Sequence, residues 1–379
     1  MDMNELREQI NQIDEELVKL FSQRMQVARN IAQYKQENNL PVYDPERERQ
    51  VLVRQASKVE PELKMPVRLL YNTLFDLSRN YQRRYLTDTT AFANTLRSAM
   101  ENTAATFPKQ AKVACQGIEG AYSQQACDRL FSLPDIMYFR NFEGVFQAIE
   151  SGFCQYGVLP IENSANGSVT QVYDLMRSHR FHIVRSVKMK VDHRLLAAPG
   201  AKLSDIKEVV SHQQALGQCS KFLKTMPDVK ITVCENTAIA AQMVHSSGRK
   251  DIAAISSMGC AELYGLSAIK EDIANSDSNF TRFICIARDL EIYPGSNRTS
   301  LMLQLPHKPG SLYNQIAGFA AHGLNLTKLE SRPIPGTDFE FQFYFDLEAD
   351  PADPDVAALL SEIMTSQEGY TYLGSYQEI

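Results

Sequence analysis

Arg24 stands on an apolar ladder. Leu6, Ile10, Ile13, Leu17, Leu20, Val27, Ile31 and Tyr34 step by alternating fours and threes, and the same ladder passes through Arg24. That spacing is a long helix with one apolar seam. A guanidinium buried in such a seam without a partner costs about 3–5 kcal/mol. Something anionic is therefore expected against it, either an Asp or Glu inside a helical bundle or a bound carboxylate.

Residues 4–38 read as one helix, ended by Asn38-Asn39-Leu40-Pro41. Asp44-Pro45 restarts helix in N-cap and first-position order. The helical pattern continues to about Ser57, pauses at Pro61 and Pro66, and runs again to about Leu86. Three helices with no strand cannot easily bury so long a seam, so a dimer is expected. Lys35 lies about three turns beyond Arg24 and projects from nearly the same side. Asp44, Arg47 and Glu48 open the second helix, and Ser78 and Gln82 are i, i+4 neighbours on the third. Arg7 falls on a different stripe and reaches such a pocket most easily from a partner chain. Taken singly, Asp44 reads as a cap and Arg47 and Glu48 as a solvated face. Together with a seam arginine the set reads as a cavity for a dianion bearing hydroxyl and ether groups.

The remaining constraints come from composition. The chain has 379 residues, 44% hydrophobic and 22% charged, which is globular composition for two to four domains. A net charge of −6 argues against nucleic acid or an anionic membrane as the main partner. No apolar run approaches the ~18 residues of a membrane span, and the charged first thirty residues are no secretory signal. Seven cysteines without a C-x-x-C pair read as reduced thiols in cytoplasm. His179 and His182 lack a third ligand nearby, so no metal is expected. None of the 18 glycines stand in G-x-G spacing, and Leu324-Asn325 follows Gly318 and Gly323 where a P-loop needs Lys and Ser/Thr. Nicotinamide and ATP cofactors are therefore not expected.

Residues 89–110, rich in Thr, Ala and Asn, read as a linker. From 111 to 288, short β-type runs (112–116, 156–161, 181–189, 193–198, 207–211, 229–234, 252–256, 280–287) alternate with helical stretches, an α/β architecture. A polar Pro- and Gly-containing piece, 289–298, marks a second boundary. The segment 299–379 reads βαββαβ, the order of a ferredoxin-like domain. In its 338–348 strand Phe339, Phe341, Phe343 and Phe345 alternate with Glu340, Gln342, Tyr344 and Asp346, one greasy and one wet face.

Four segments of the middle region carry candidate chemistry. Gly117-x-x-Gly120-Ala121-Tyr122-Ser123 runs from a strand into a helix, where free N–H groups can meet an anion. Pro160-Ile161-Glu162-Asn163-Ser164 with Gly167-Ser168, Ser211-His212-Gln213-Gln214 with Gln218-Cys219, and Asn279-Phe280-Thr281-Arg282-Phe283 are the others. Singly they read as turn glycines, a cap and an ordinary strand threonine.

The run Leu6-Arg7, Arg24, Lys35, Asp44-x-x-Arg47-Glu48 resembles the all-helical chorismate mutases. That resemblance implies residues 1–88 as a three-helix domain in an intertwined dimer. Arg7 of the other subunit, Arg24 and Arg47 would hold two carboxylates, Lys35 and Gln82 the ether oxygen, and Glu48 the ring hydroxyl, with Asp44 and Ser78 completing the wall. The four middle segments together resemble prephenate dehydratases, whose two α/β lobes close on a cleft as periplasmic binding proteins do. By that likeness Thr281 is catalytic, and Glu162, Asn163, Ser211 and Gln218 line the prephenate site. Gln213 stands where that family usually has proline. The C-terminal region is similar to ACT regulatory modules, with Glu330-Ser331-Arg332-Pro333 as its phenylalanine-binding signature. Gly310-Ser311-Leu312 stands in place of the usual Gly-Ala-Leu. The whole resembles the bifunctional chorismate mutase/prephenate dehydratases. That implies a cytoplasmic homodimer or larger homo-oligomer making phenylpyruvate from chorismate through prephenate, under feedback by L-phenylalanine. A mutase fused to a dehydrogenase would need the missing dinucleotide fingerprint. A non-catalytic metabolite sensor would not need Thr281 or the arginine set.

Overall fold

The computed structural model describes residues 2–86, 90–338, 340–366 and 369–379. Two compact units form. One holds Met1–Arg97, Leu305–Leu324 and Ala352–Tyr370; the other holds Ser98–Gln304, Asn325–Pro351 and Thr371–Ile379.

In the first unit, α1 (Met3–Glu37) starts at Asp2, whose carboxylate accepts from the N–H groups of Asn4 and Glu5 while Glu5 reaches back to the N–H of Asp2. α2 (Pro45–Ala56) opens with Asp44 accepting from the Arg47 N–H at 3.0 Å. α3 (Lys64–Leu86) carries Pro66 in its first turn, where a missing N–H leaves no bond unmade, so the expected pause there is absent. α4 (Thr90–Asn102) occupies much of the segment expected to be a linker. Its alanines are strong helix formers, and Leu96 is fully buried; residues 87–89 lie outside the described residues.

The apolar ladder of α1 is not buried within one chain. Its eight apolar members are between 42% and 63% exposed, and α1 instead buries Met25, Ala28 and Ala32. The helix packs on α3 through a neighbouring face, so the ladder is left as a continuous greasy stripe.

The second unit begins with an α/β lobe. It comprises β1 (Gln110–Gln116), α5 (Tyr122–Leu130), β2 (Leu133–Phe139), α6 (Phe142–Glu150), β3 (Tyr156–Asn163), β4 (Gly167–Ser168), α7 (Thr170–Met176) and β5 (His182–Lys190). A second lobe follows with β6 (Arg194–Ala197), β7 (Glu208–His212), α8 (Gln213–Gln218), α9 (Ser220–Leu223), β8 (Lys230–Cys234), α10 (Thr237–Ser247), β9 (Ile252–Ser256), α11 (Met258–Tyr264) and β10 (Ser267–Lys270). β11 (Phe280–Ala287) then returns to lie between β5 and β3. The chain thus crosses between lobes twice. Strands β2, β4 and β10 were not expected from the sequence. β2 contains Pro134, tolerated because the strand is an edge that pairs only with β1.

After β11, the segment read as a linker is tied down. Glu291 accepts from the hydroxyls of Tyr156 at 2.8 Å and Tyr293 at 2.6 Å, and Ile292 is buried. Then come β12 (Arg298–Gln304), α12 (Ser311–Ala321), β13 (Asn325–Pro333), β14 (Phe341–Glu348), α13 (Pro354–Ser366) and β15 (Tyr370–Glu378), the expected βαββαβ order. The strands lie in the order β13-β14-β12-β15, and β15 pairs in parallel with β5, which makes one sheet with the first lobe. Helices α12 and α13 belong to the first unit, where α13 packs on α3.

Phe339 lies outside the described residues. The expected wet face of β14 is dry: Gln342, Tyr344 and Asp346 are 4%, 3% and 6% exposed. They cover the first lobe, where the Tyr344 hydroxyl donates to the Tyr173 carbonyl at 2.6 Å and Asp346 meets Arg282.

Gly374 fixes the seam between β15 and β5. Its φ is +143°, and a Cβ there would sit 2.2 Å from the Ile183 carbonyl oxygen. Gly374→Ala should therefore destabilise the protein by about 2–4 kcal/mol, read as a lowered thermal midpoint; an unchanged midpoint would mean the strands can part there at no cost.

Candidate active sites

Two cavities hold most of the residues singled out in the sequence. The first, about 780 Å³, lies among α1, α2 and α3 and is lined by Arg24, Lys35, Asp44, Arg47, Glu48, Ser78 and Gln82. Arg24 donates to the Leu74 carbonyl at 3.1 Å and to the Ser78 hydroxyl. Among the described residues no carboxylate forms an ion pair with it. Burial lowers its pKa, and Tyr71 and Glu48 offset this only in part. The charge expected to need an anion is thus held by neutral acceptors beside open space. Lys35 donates to the Val42 carbonyl at 2.6 Å, and among the described residues the buried Gln82 Oε1 has no hydrogen-bond partner.

Two site residues stand as their positions in the sequence suggested. Asp44 also serves as the α2 cap, so its carboxylate is shared with backbone. Arg7 is exposed and lies seventeen residues before Arg24, about 25 Å along a helix axis, so it cannot reach the cavity of its own chain. One residue was missed. Arg79 lines the cavity, pairs with Glu48 and Asp76, and stacks on Tyr43 at 5.2 Å. The Asp76-x-x-Arg79 spacing beside Ser78 was the available signal.

The second cavity, about 530 Å³, opens between the two α/β lobes and is lined by Asn163, Gln218 and Thr281 among others. Asn163 Nδ2 donates to Thr281 Oγ1 at 2.9 Å and to Asn279 Oδ1 at 2.8 Å. Thr281 Oγ1 is therefore an acceptor here, and its own proton remains available. Gln218 Oε1 accepts from Asn279 Nδ2 at 3.0 Å and lies 2.8 Å from His193 Nε2, so that ring nitrogen carries the proton. His193, missed in the sequence, is buried, and burial lowers its pKa; it is neutral. Among the described residues the cavity wall has no Lys or Arg, and its one carboxylate is Glu235. Helices α5 and α10 instead present their first residues, Tyr122, Ser123 and Thr237, to the space.

Two expectations for this cleft are corrected. Glu162 does not line it, because on β3 it alternates with Asn163 and faces the opposite side. There Glu162 meets Arg282 Nε at 2.7 Å and Lys328 Nζ at 2.9 Å. Ser211 is fully buried and donates to the Ile255 carbonyl at 2.7 Å, a strand-to-strand bond. The Gly117–Gly120 loop joins the lobes: the Cys260 thiol donates to the Gly120 carbonyl at 3.1 Å, and a Cβ on Gly120 would fall 2.9 Å from that sulfur.

Behind the cleft lies an ionic network. Arg282, 6% exposed, sits between Glu162 and Asp346. Burial opposes its charge, but Asp346, Tyr376 and Glu162 outweigh burial and raise its pKa. Burial likewise opposes ionisation of Glu162, while Arg282 and Lys328 prevail and lower its pKa. The Ser168 hydroxyl, whose residue lines the cleft, donates to Glu330 at 2.5 Å and accepts from Lys328 at 2.8 Å. Arg332 pairs with Asp174 through two 2.8 Å bonds. Glu330 and Arg332 thus already hold partners, Ser331 alternates to the other face, and Pro333 ends β13. Gly310 takes φ +88° just before α12, which contains Leu312; among the described residues the Ser311 hydroxyl has no hydrogen-bond partner.

Residues 6–83 match the family model for chorismate mutase type II, and residues 113–291 match that for prephenate dehydratase. The bifunctional chorismate mutase/prephenate dehydratase of Escherichia coli strain K12 is 31% identical over 98% of this chain and 95% of its own length. The chain belongs to the bifunctional chorismate mutase/prephenate dehydratase family. As a member it is an enzyme of phenylalanine biosynthesis with both activities. An arogenate dehydratase/prephenate dehydratase of Arabidopsis thaliana is 39% identical over 70% of this chain and 71% of its own length. The solved structure of a prephenate dehydratase from Arthrobacter aurescens in complex with L-Phe is 27% identical with a TM-score of 0.65. It covers 70% of this chain and 90% of its own. Among the described residues no helix of this chorismate mutase/prephenate dehydratase is long and apolar enough to cross a membrane.

The lowered pKa of Glu162 carries a pH signature. Its contribution to stability is complete above the ordinary carboxylate range, about pH 4.3, and is lost as pH falls through the depressed native value. Glu162→Gln should flatten the loss of thermal stability on acidification below about pH 4.3; an acid limb parallel to that of the parent would remove Glu162 from the ion network.

Proposed function

We propose that the helical cavity rearranges chorismate and that Arg24 is its principal electrostatic group, carried by one observation: a half-buried guanidinium beside open space with no acid against it. The reaction is pericyclic and requires no nucleophile. Arg24 and Arg47 hold carboxylates, Lys35 and Gln82 meet the ether oxygen on which charge develops, and Glu48 receives the ring hydroxyl. Ser78 holds Arg24 in place, and Asp44 ends the wall. Orientation of a flexible substrate supplies roughly 7–11 kcal/mol in favourable cases, and preorganised cations add to it.

A second copy of the chain covers the greasy stripe of α1 and brings its own Arg7 to this cavity, since Arg7 cannot reach it from within. The seven free cysteines fit a reducing cytoplasm.

Prephenate is then dehydrated in the cleft between the lobes. As the C–C bond to the ring carboxylate breaks, its electron pair enters the ring and the ring C–O bond breaks; the Thr281 hydroxyl donates a hydrogen bond to the departing hydroxide, which takes a proton from solvent and leaves as water. Asn163 orients Thr281, and Gln218 with His193 holds Asn163. A wall without Lys or Arg leaves the carboxylate to be lost unpaired, and the starts of α5 and α10 offer N–H groups for the one retained. Phenylalanine acts as a feedback effector through the C-terminal region, where Glu330 and Arg332 connect to Ser168 and Asp174 of the dehydratase lobe.

Arg24→Ala should cut mutase turnover about 10²–10³-fold while dehydration of added prephenate persists. Thr281→Ala should cut dehydration by about 10²–10³-fold and spare the mutase. Each is read by chorismate consumption and phenylpyruvate absorbance on one preparation, and parallel loss of both activities would sink the assignment. Phenylalanine should inhibit dehydration in the parent, and Glu330→Ala should raise the concentration required; an uninhibited parent would remove the feedback reading.

A further inference from the structure

Arg79 lines two cavities. It borders the mutase cavity, and it also borders a smaller one of about 150 Å³ formed with Asp76, Lys308, Ser311 and Asn314. Its guanidinium fork is divided. Nη1 pairs with Glu48 Oε1 and Nη2 with Asp76 Oδ1, while Tyr43 lies 5.2 Å from its carbon. The other Asp76 oxygen accepts from Asn314 Nδ2 in α12, and Lys308 stands 4.7 Å from the other contact of this group, the Tyr43 ring. The Arg79 side chain is 12% exposed, so the fork has little freedom.

The mutase cavity needs such a tether. Its wall carries Arg24, Lys35, Arg47, Arg54 and Arg79 against Asp44 and Glu48. An untethered Glu48 among these cations would swing onto Arg24 or Arg47 and neutralise the charge that a dianionic substrate requires. Arg79 binds one Glu48 oxygen, Oε1, leaving the second oxygen for a hydroxyl and the other cations for carboxylates. A two-pronged guanidinium does this where a lysine point charge holds only one partner.

We propose that Arg79 is a positioning residue of the mutase reaction, holding Glu48 in its productive place and away from the substrate-binding arginines. The proposal rests on the reading that Glu48 receives the substrate hydroxyl.

The test is a double-variant cycle on the full chain with chorismate as substrate: Arg79→Met, Arg79→Lys, Glu48→Gln, and Arg79→Met combined with Glu48→Gln. Dehydration of added prephenate by the same preparations reports folding. Arg79→Met should lower mutase kcat about ten- to hundredfold with dehydration unchanged, and Arg79→Lys should recover part of that loss. With Glu48 already neutral, removing Arg79 should cost little more. A wild-type kcat for Arg79→Met beside an impaired Glu48→Gln overturns this proposal alone, as do losses that multiply in the double variant. Full activity in Glu48→Gln removes the reading of Glu48 and the proposal with it.

Discussion

The middle and C-terminal parts of this enzyme depend on one buried guanidinium. Arg282 leaves β11 on the side away from the cleft and is clamped between Glu162 of β3 and Asp346 of β14. A cation so buried is tolerable only with full partners, so β3, β11 and β14 are tied to one another by this clamp. Strand alternation does the rest. The residues beside the clamp, Thr281 and Asn163, must point the opposite way into the cleft. Fixing the ion triad on one face therefore fixes the hydroxyl and amide on the other.

The two cavities handle anions by opposite means. The helical one gathers five cations against two acids, Asp44 and Glu48, which suits a reaction where a bound dianion must be compacted and charge develops on an ether oxygen. The cleft offers amides, hydroxyls, neutral His193 and helix starts. A carboxylate fated to leave as carbon dioxide is better met by weak partners than by an arginine that would retain it. On the proposed assignment the same doubly negative intermediate is made where charge is paired and consumed where it is not.

Sequence reading placed residues together where position follows from local periodicity. The cavity set Arg24, Lys35, Asp44, Arg47, Glu48, Ser78 and Gln82 assembled because helix geometry turns spacing into facing. In the cleft Asn163, Gln218 and Thr281 met as the resemblance implied. Glu162 and Ser211 did not, since which face of a strand meets the cleft depends on how the two sheets are placed. The wet face of β14 misled for the same reason: Asp346 looks solvated until Arg282 is brought to it. α4 was hidden by a composition that suits both linkers and helices, and β2 by a proline that only its edge position permits.

From the chain of letters alone came the long first helix with a cation in its stripe, because that rests on short-range spacing, and the resemblance carried by its motifs supplied the two chemistries. Folding in three dimensions decided what spacing cannot. It set Arg24 against neutral acceptors and open space, left the α1 stripe uncovered, turned Glu162 toward the distant Arg282 and Lys328, and placed Arg79 between two cavities. Such outcomes follow from contacts between residues tens to hundreds of positions apart, whose geometry no local pattern contains.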